Sequence, residues 1–86
     1  MKMTPGQFIE YIRTNYNVTT QSETARQLGV SQGHISNYVK GKSYPLFEQA
    51  AKWYREYGVQ LHRFTEEALQ EEVERNEALQ ASINNS

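Results

Sequence analysis

Apolar residues recur at helical spacing along almost the whole chain, interrupted by caps, glycines and two prolines. Thr4-Pro5-Gly6-Gln7 reads as a helix start, with a threonine cap, proline at the first helical position and a glutamine completing a capping box. Phe8, Tyr11, Ile12 and Tyr16, with Ile9 as an alternative, then share one face up to Asn17. Thr20 with Glu23 forms a second capping box, followed by Thr24, Ala25 and Leu28 on an inward face. Gly29 stops this helix as a residue able to take positive φ, and Val30 plugs the corner after it. Ser31 caps a third helix with Ile35, Tyr38 and Val39 inward, and Gly41 ends it.

Beyond the loop Gly41-Lys42-Ser43-Tyr44-Pro45, the proline opens a fourth helix that Gly58 stops. Its inner face is Phe47, Ala50, Tyr54 and Tyr57, with Leu46 and Trp53 on the flank, a packing stripe and not a base-stacking platform. Residues 59–64 alternate and suit either a short strand or a linker. From Thr65 onward Glu, Ala, Leu and Gln dominate, all strong helix formers. Leu61, Phe64, Ala68, Leu69, Val73, Leu79 and Ile83 occupy one half of a helical wheel, interrupted by Glu72 and Asn76. Residues 82–86 are expected to fray. The pattern divides the chain into residues 1–58, a compact four-helix body, and residues 59–86, an acidic amphipathic extension that either folds back or meets a second chain.

The segment Gln21–Lys40 carries the sharpest signal. It consists of two short helices about a tight turn, with Ala25 small enough for the second helix to cross closely over the first. A crossing of roughly 90–120° is the helix-turn-helix geometry, which sets the second helix in a DNA major groove. Ala25, Leu28, Gly29, Val30, Ile35 and the following Gly41-Lys42 stand where temperate-phage repressors, Cro proteins and related small regulators place theirs. The chain resembles that family over about residues 5–57, and over Gln21–Lys42 at the level of the motif. Thr24 departs from the usual aliphatic residue, and Tyr38 is larger than the family norm. The resemblance implies an all-α, four-helix helix-turn-helix domain, here with one further amphipathic helix, and double-stranded DNA as the partner.

Composition changes this picture in two places. The net charge of −1 argues against a nucleic-acid partner until its distribution is seen. Residues 1–65 carry eight lysines and arginines against four glutamates, whereas residues 66–86 carry one arginine against six glutamates. A body at +4 with a tail at −5 suits DNA binding by the body, with affinity resting on a few phosphate contacts or on several bound copies. The absence of cysteine excludes disulfides and thiolate metal sites. No apolar run approaches the roughly 20 residues that span a membrane, and no signal-peptide pattern opens the chain. The expectation is a soluble, cytoplasmic protein with no membrane, cofactor or small-molecule partner.

The chemistry of DNA contact falls on the third helix. Gln32 and Gly33 lie in its first turn, and Ser36, Asn37 and Lys40 continue the polar side. Glutamine and asparagine bond adenine N6 and N7 in bidentate fashion. By the resemblance, Gln32 occupies the family's principal base-reading position and Asn37 another. Gly33 lacks the side chain the family usually has there, leaving room for backbone, a thymine methyl or water. His34 suits a base or a phosphate, or simply solvent. Phosphate candidates are Gln21 and Ser22 at a helix start, where backbone amides attract anions, with Ser31, Lys40, Lys42 and Tyr44.

Catalysis finds no support in the residues. There is no cysteine nucleophile and no phosphate-cradling glycine loop, and His34 and His62 lie far apart in sequence. Three functions remain: a transcriptional repressor of the phage type, an excisionase that binds and bends phased repeats, and an antitoxin or adaptor that holds a protein. Apl-type phage regulators, which the chain resembles in length, combine the first two. The lack of a ligand-sensing segment favours a Cro- or excisionase-like factor, acting as a dimer or as copies aligned on DNA.

Overall fold

The chain is described by a computed structural model covering residues 1–84. Its elements are β1 (Lys2–Met3), α1 (Pro5–Asn15), α2 (Gln21–Leu28), α3 (Gln32–Lys40), α4 (Phe47–Tyr57), β2 (Gln60–Leu61) and α5 (Glu66–Asn84). The fold is all-α in character, with one two-stranded parallel pairing that joins Lys2 to Gln60 and Met3 to Leu61. That pairing settles residues 59–64 as a strand and a turn. Its N-terminal partner has no periodic signal, because two residues are too few to show one.

Caps fix the helix boundaries as the residue types dictate. The α1 capping box is complete: the Gln7 amide donates to Thr4 Oγ1 at 3.1 Å, and the Thr4 amide donates to Gln7 Oε1 at 2.9 Å. At α2 the box is displaced by one residue. Thr20 Oγ1 accepts from the Glu23 amide, but Glu23 Oε2 accepts from Thr19 rather than Thr20. The Ser31 hydroxyl caps α3 by accepting from the His34 amide at 3.2 Å. Gly29, at φ 72°, sits in the left-handed region and lets the chain leave α2 at once for α3.

Two expectations about inward faces and one about a helix start are corrected. Val39 is 53 % exposed. The Tyr38 ring fills the space beneath α3, and Gly6 of α1 faces the Val39 backbone, so the valine side chain turns out. Tyr16 lies past the end of α1 and is exposed, its ring meeting Tyr57 edge-on. The fourth helix begins at Phe47 and not at Pro45, after an extended Leu46 that supplies no side-chain cap and is 79 % exposed. Pro45 itself is buried, so its ring anchors the loop to the core instead of starting the helix.

The inner face of α4 is Ala50, Ala51 and Trp53, a rotation from the predicted stripe. Two alanines allow close approach, and the indole then fills the centre at 1 % exposure. Phe47, Tyr54 and Tyr57 stand half-buried at the rim, where tyrosine hydroxyls reach polar partners. Tyr57 meets Gln27, and Tyr54 donates to Glu66 at 3.2 Å. Burial, and secondarily Glu66, pushes the Tyr54 hydroxyl above its ordinary pKa, so it stays protonated and donating.

The start of α5 folds back onto this body. Leu69 and Val73 join Phe8, Ile12, Trp53, Val59 and Leu61 in one core, and Glu72, half of an ion pair with Arg75, is almost fully covered. Further along, Arg55 on α4 meets Glu77 at 3.7 Å, while Leu79 and Ile83 are 57 % and 67 % exposed. The apolar stripe is therefore used by the core up to Val73 and is largely exposed to solvent beyond it.

Three outcomes follow for stability. A Cβ at Gly29 meets only the Lys52 ammonium at 3.8 Å, so Gly29→Val carries backbone strain without a clash and should cost about 1–3 kcal/mol. Ala25→Leu, at the buried α2–α3 crossing, should cost a similar ~1–3 kcal/mol by overpacking. Urea melts check both, and wild-type midpoints for the pair would mean that the helices do not cross there. Leu69→Ala should cost about 2–5 kcal/mol if α5 is integral to the core. A loss below that range in the same melts would make α5 an accessory.

Candidate nucleic-acid interface

The interface is built on α3, which is capped at both ends and leans on the core through only two side chains. Ile35 is fully buried, and Tyr38 nearly so. Every other α3 residue is left half-buried or exposed by that attachment. Gln32, Gly33, His34, Asn37 and Lys40 are exposed, and Ser36 is half-buried. The His34 ring lies parallel to Tyr38, tilted by 11°, with centroids 6.0 Å apart. That contact holds the imidazole against its own helix. Burial raises the pKa of the Tyr38 phenol, which keeps its proton.

The start of α2 leaves two of its backbone donors unused among the described residues. Thr20 accepts from the Glu23 amide, and the Thr24 amide bonds the Thr20 carbonyl. The amides of Gln21 and Ser22 are left without a protein acceptor among the described residues. Both side chains are exposed, so a phosphate there meets backbone donors and side chains together. The Ser31 oxygen is committed as the α3 cap, and its O–H remains free to donate outward.

Past the end of α3, Gly41 turns the chain through the left-handed region at φ 74°. The Lys42 amide bonds back to the Asn37 carbonyl at 2.9 Å. This fixes the Lys42 backbone directly beside Lys40. The two lysines then line one groove of about 510 Å³ with Tyr44, Arg63 and the first turn of α1 at Thr4, Pro5 and Gly6. Tyr44 is half-buried, and its hydroxyl accepts from the Arg63 amide at 2.9 Å. Arg63 has no counterpart among the residues singled out from the sequence. It lies 19 positions beyond Tyr44, past an intervening helix, and no local pattern links the two.

The predicted contact residues, the α3 cap Ser31 aside, thus form three groups. Gln32, Gly33, His34, Ser36 and Asn37 share the outward side of α3, and Lys40, Lys42 and Tyr44 meet at its C-terminal end. Gln21 and Ser22 stand apart on the first turn of α2. Among the described residues, no group of three or more histidines, cysteines or acidic residues is placed to hold a metal ion. No described helix is long and apolar enough to cross a membrane.

A family model described as a helix-turn-helix domain matches residues 6–74, from the first turn of α1 to the point at which α5 leaves the core. No curated protein and no solved structure matches the chain. With two helices joined through a left-handed glycine, the second held by two residues and presenting its polar side outward, the chain belongs to the helix-turn-helix domain family and binds double-stranded DNA.

Proposed function

We propose that the protein is a sequence-specific transcriptional repressor of the temperate-phage type, which silences a promoter by occupying it in the cytoplasm. The observation that carries this reading is the composition of the free side of α3. Gln32 and Asn37 are exposed there, flanked by the unbonded α2 amides and by Lys40 and Lys42. Base-reading amides between phosphate-binding groups are what direct readout of a duplex requires. In this reading Gln32, Gly33, His34, Ser36 and Asn37 face base edges. Gln21, Ser22, Ser31, Lys40, Lys42 and Tyr44 hold the backbone on either side. The contact residues read from the sequence all lie in residues 1–58, and residues 59–84 cover the core and carry the exposed Leu79 of α5 for assembly.

A second reading, an excisionase that lines several copies along bent DNA, draws on that exposed end of α5. Leu79 is apolar and 57 % exposed on a helix whose earlier turns give Leu69 and Val73 to the core. A body at +4 binds weakly as a single module at physiological salt, so neighbouring copies are the natural source of affinity. Footprinting around the gene separates the readings: one palindrome marks a repressor, and an array of phased repeats marks an excisionase.

Gln32→Ala should cost about 1–3 kcal/mol at the specific site and relax preference at one base pair. Lys42→Ala should weaken binding to every sequence and reduce the salt slope by about one. Specific binding that survives Gln32→Ala with Asn37→Ala would remove α3 as the reading element. For assembly, sedimentation of the free protein should show a monomer, with affinity per site rising on duplexes holding two sites ~34 Å apart. A stable dimer without DNA, or equal affinity per site at every site number, refutes alignment on DNA.

A further inference from the structure

We propose that Arg63 is a DNA-backbone contact, forming with Lys40 and Lys42 a cationic groove that takes a phosphodiester beyond the C-terminal end of α3. The inference rests on the DNA-binding reading of α3 and extends the interface to a residue outside the helix-turn-helix segment.

Three features carry it. The Arg63 guanidinium carbon lies 3.9 Å from the centroid of the Tyr44 ring. Its backbone amide is also fixed, by the 2.9 Å bond to the Tyr44 hydroxyl. The side chain is thereby held at both ends by one aromatic residue, which lowers the entropy lost when its fork binds an anion. Secondly, Arg63, Lys40 and Lys42 have no carboxylate partner among the described residues, whereas Arg13, Arg55 and Arg75 are each paired with a glutamate. Thirdly, these three cations line a single groove with the start of α1, at the C-terminal end of α3.

A stacked guanidinium presents its N–H donors in the plane of the group, the geometry that grips a phosphate through two parallel bonds. The groove is open and lacks base-reading amides, so its contribution should be independent of sequence. Tyr44 accordingly has a positioning role: it holds Arg63, and its hydroxyl proton remains available to the same phosphate.

The test compares Arg63→Gln, Arg63→Lys and wild type by anisotropy titration over a range of salt, on a duplex carrying the footprinted site and on a random duplex. Arg63→Gln should weaken both duplexes by about fivefold and lower the salt slope by about one. Arg63→Lys keeps the charge without the fork, so the wild-type slope should return with only part of the affinity. Ethylation interference supplies an independent readout: one flanking phosphate whose ethylation blocks wild type should have no further effect on Arg63→Gln. Thermal melts of the free proteins show whether Arg63 acts only by covering Tyr44. A lowered melting temperature with unchanged slope and interference pattern overturns the proposal. If Arg63→Gln is silent while Lys42→Ala and the Gln32–Asn37 pair behave as expected, the groove is not a phosphate site but α3 still reads DNA. If those variants are silent too, the DNA reading of α3 fails with it.

Discussion

The geometry of the interface depends on one side chain, Trp53. Its indole lies 4.9 Å from the Phe8 ring of α1 and meets Tyr38 of α3 edge-on at 6.3 Å, centroid to centroid. Its N–H donates to the Leu28 carbonyl at 3.3 Å. That carbonyl belongs to the last turn of α2, where helix geometry leaves no amide to receive it. A buried carbonyl without a partner costs about 1–3 kcal/mol, so the bond matters more through what it prevents than through what it adds. It also sits one residue before Gly29, where a small change in direction would swing all of α3. Trp53 thus sets the angle at which the polar side of α3 leaves the body.

The recurring caps and glycines made the body legible from its residues. Thr4, Ser31, Gly29, Gly41 and Gly58 act locally, through their own backbone angles and the next turn, and they end or begin helices where a linear reading places them. The rotation of α4 was not legible in the same way. Phe47, Tyr54, Tyr57 and Trp53 are all apolar enough to face inward, and the choice among them depends on the shape of the space left by Phe8 and Tyr38. Val39 escapes prediction for a related reason, since Tyr38 already fills the position beneath it. Most of the candidate interface lay in the exposed positions of one short helix. Arg63 did not, because its relation to Tyr44 exists only after α4 and the β pairing have brought the two segments together.

Charge follows the same division. The cations concentrate on the body, and a cluster of six glutamates with one arginine begins at Glu66, three residues after Arg63. The boundary is sharp enough that α5 carries five of its six glutamates on exposed positions. Glu72 is the exception, covered and neutralised by Arg75. An acidic surface disfavours the approach of a DNA backbone, and the basic positions favour it.

The pairing of β1 with β2 has a consequence for the order in which the molecule assembles. The Gln60 and His62 amides donate to the Met1 and Met3 carbonyls at 2.8 and 3.0 Å, so the pairing closes a ring of chain that contains all of α1 to α4. Closing so long a ring loses much configurational freedom for very few bonds, whereas each helix and the α2–α3 turn involve neighbours in sequence. The strands are therefore late to form and early to part. Parting them first loosens Met3, the approach to α1, together with Leu61, the approach to α5. Residues 4–6 and Arg63, the two sides of the groove at the end of α3, therefore depend on the most labile joint in the fold, whereas the Gly29 turn lies well inside the ring.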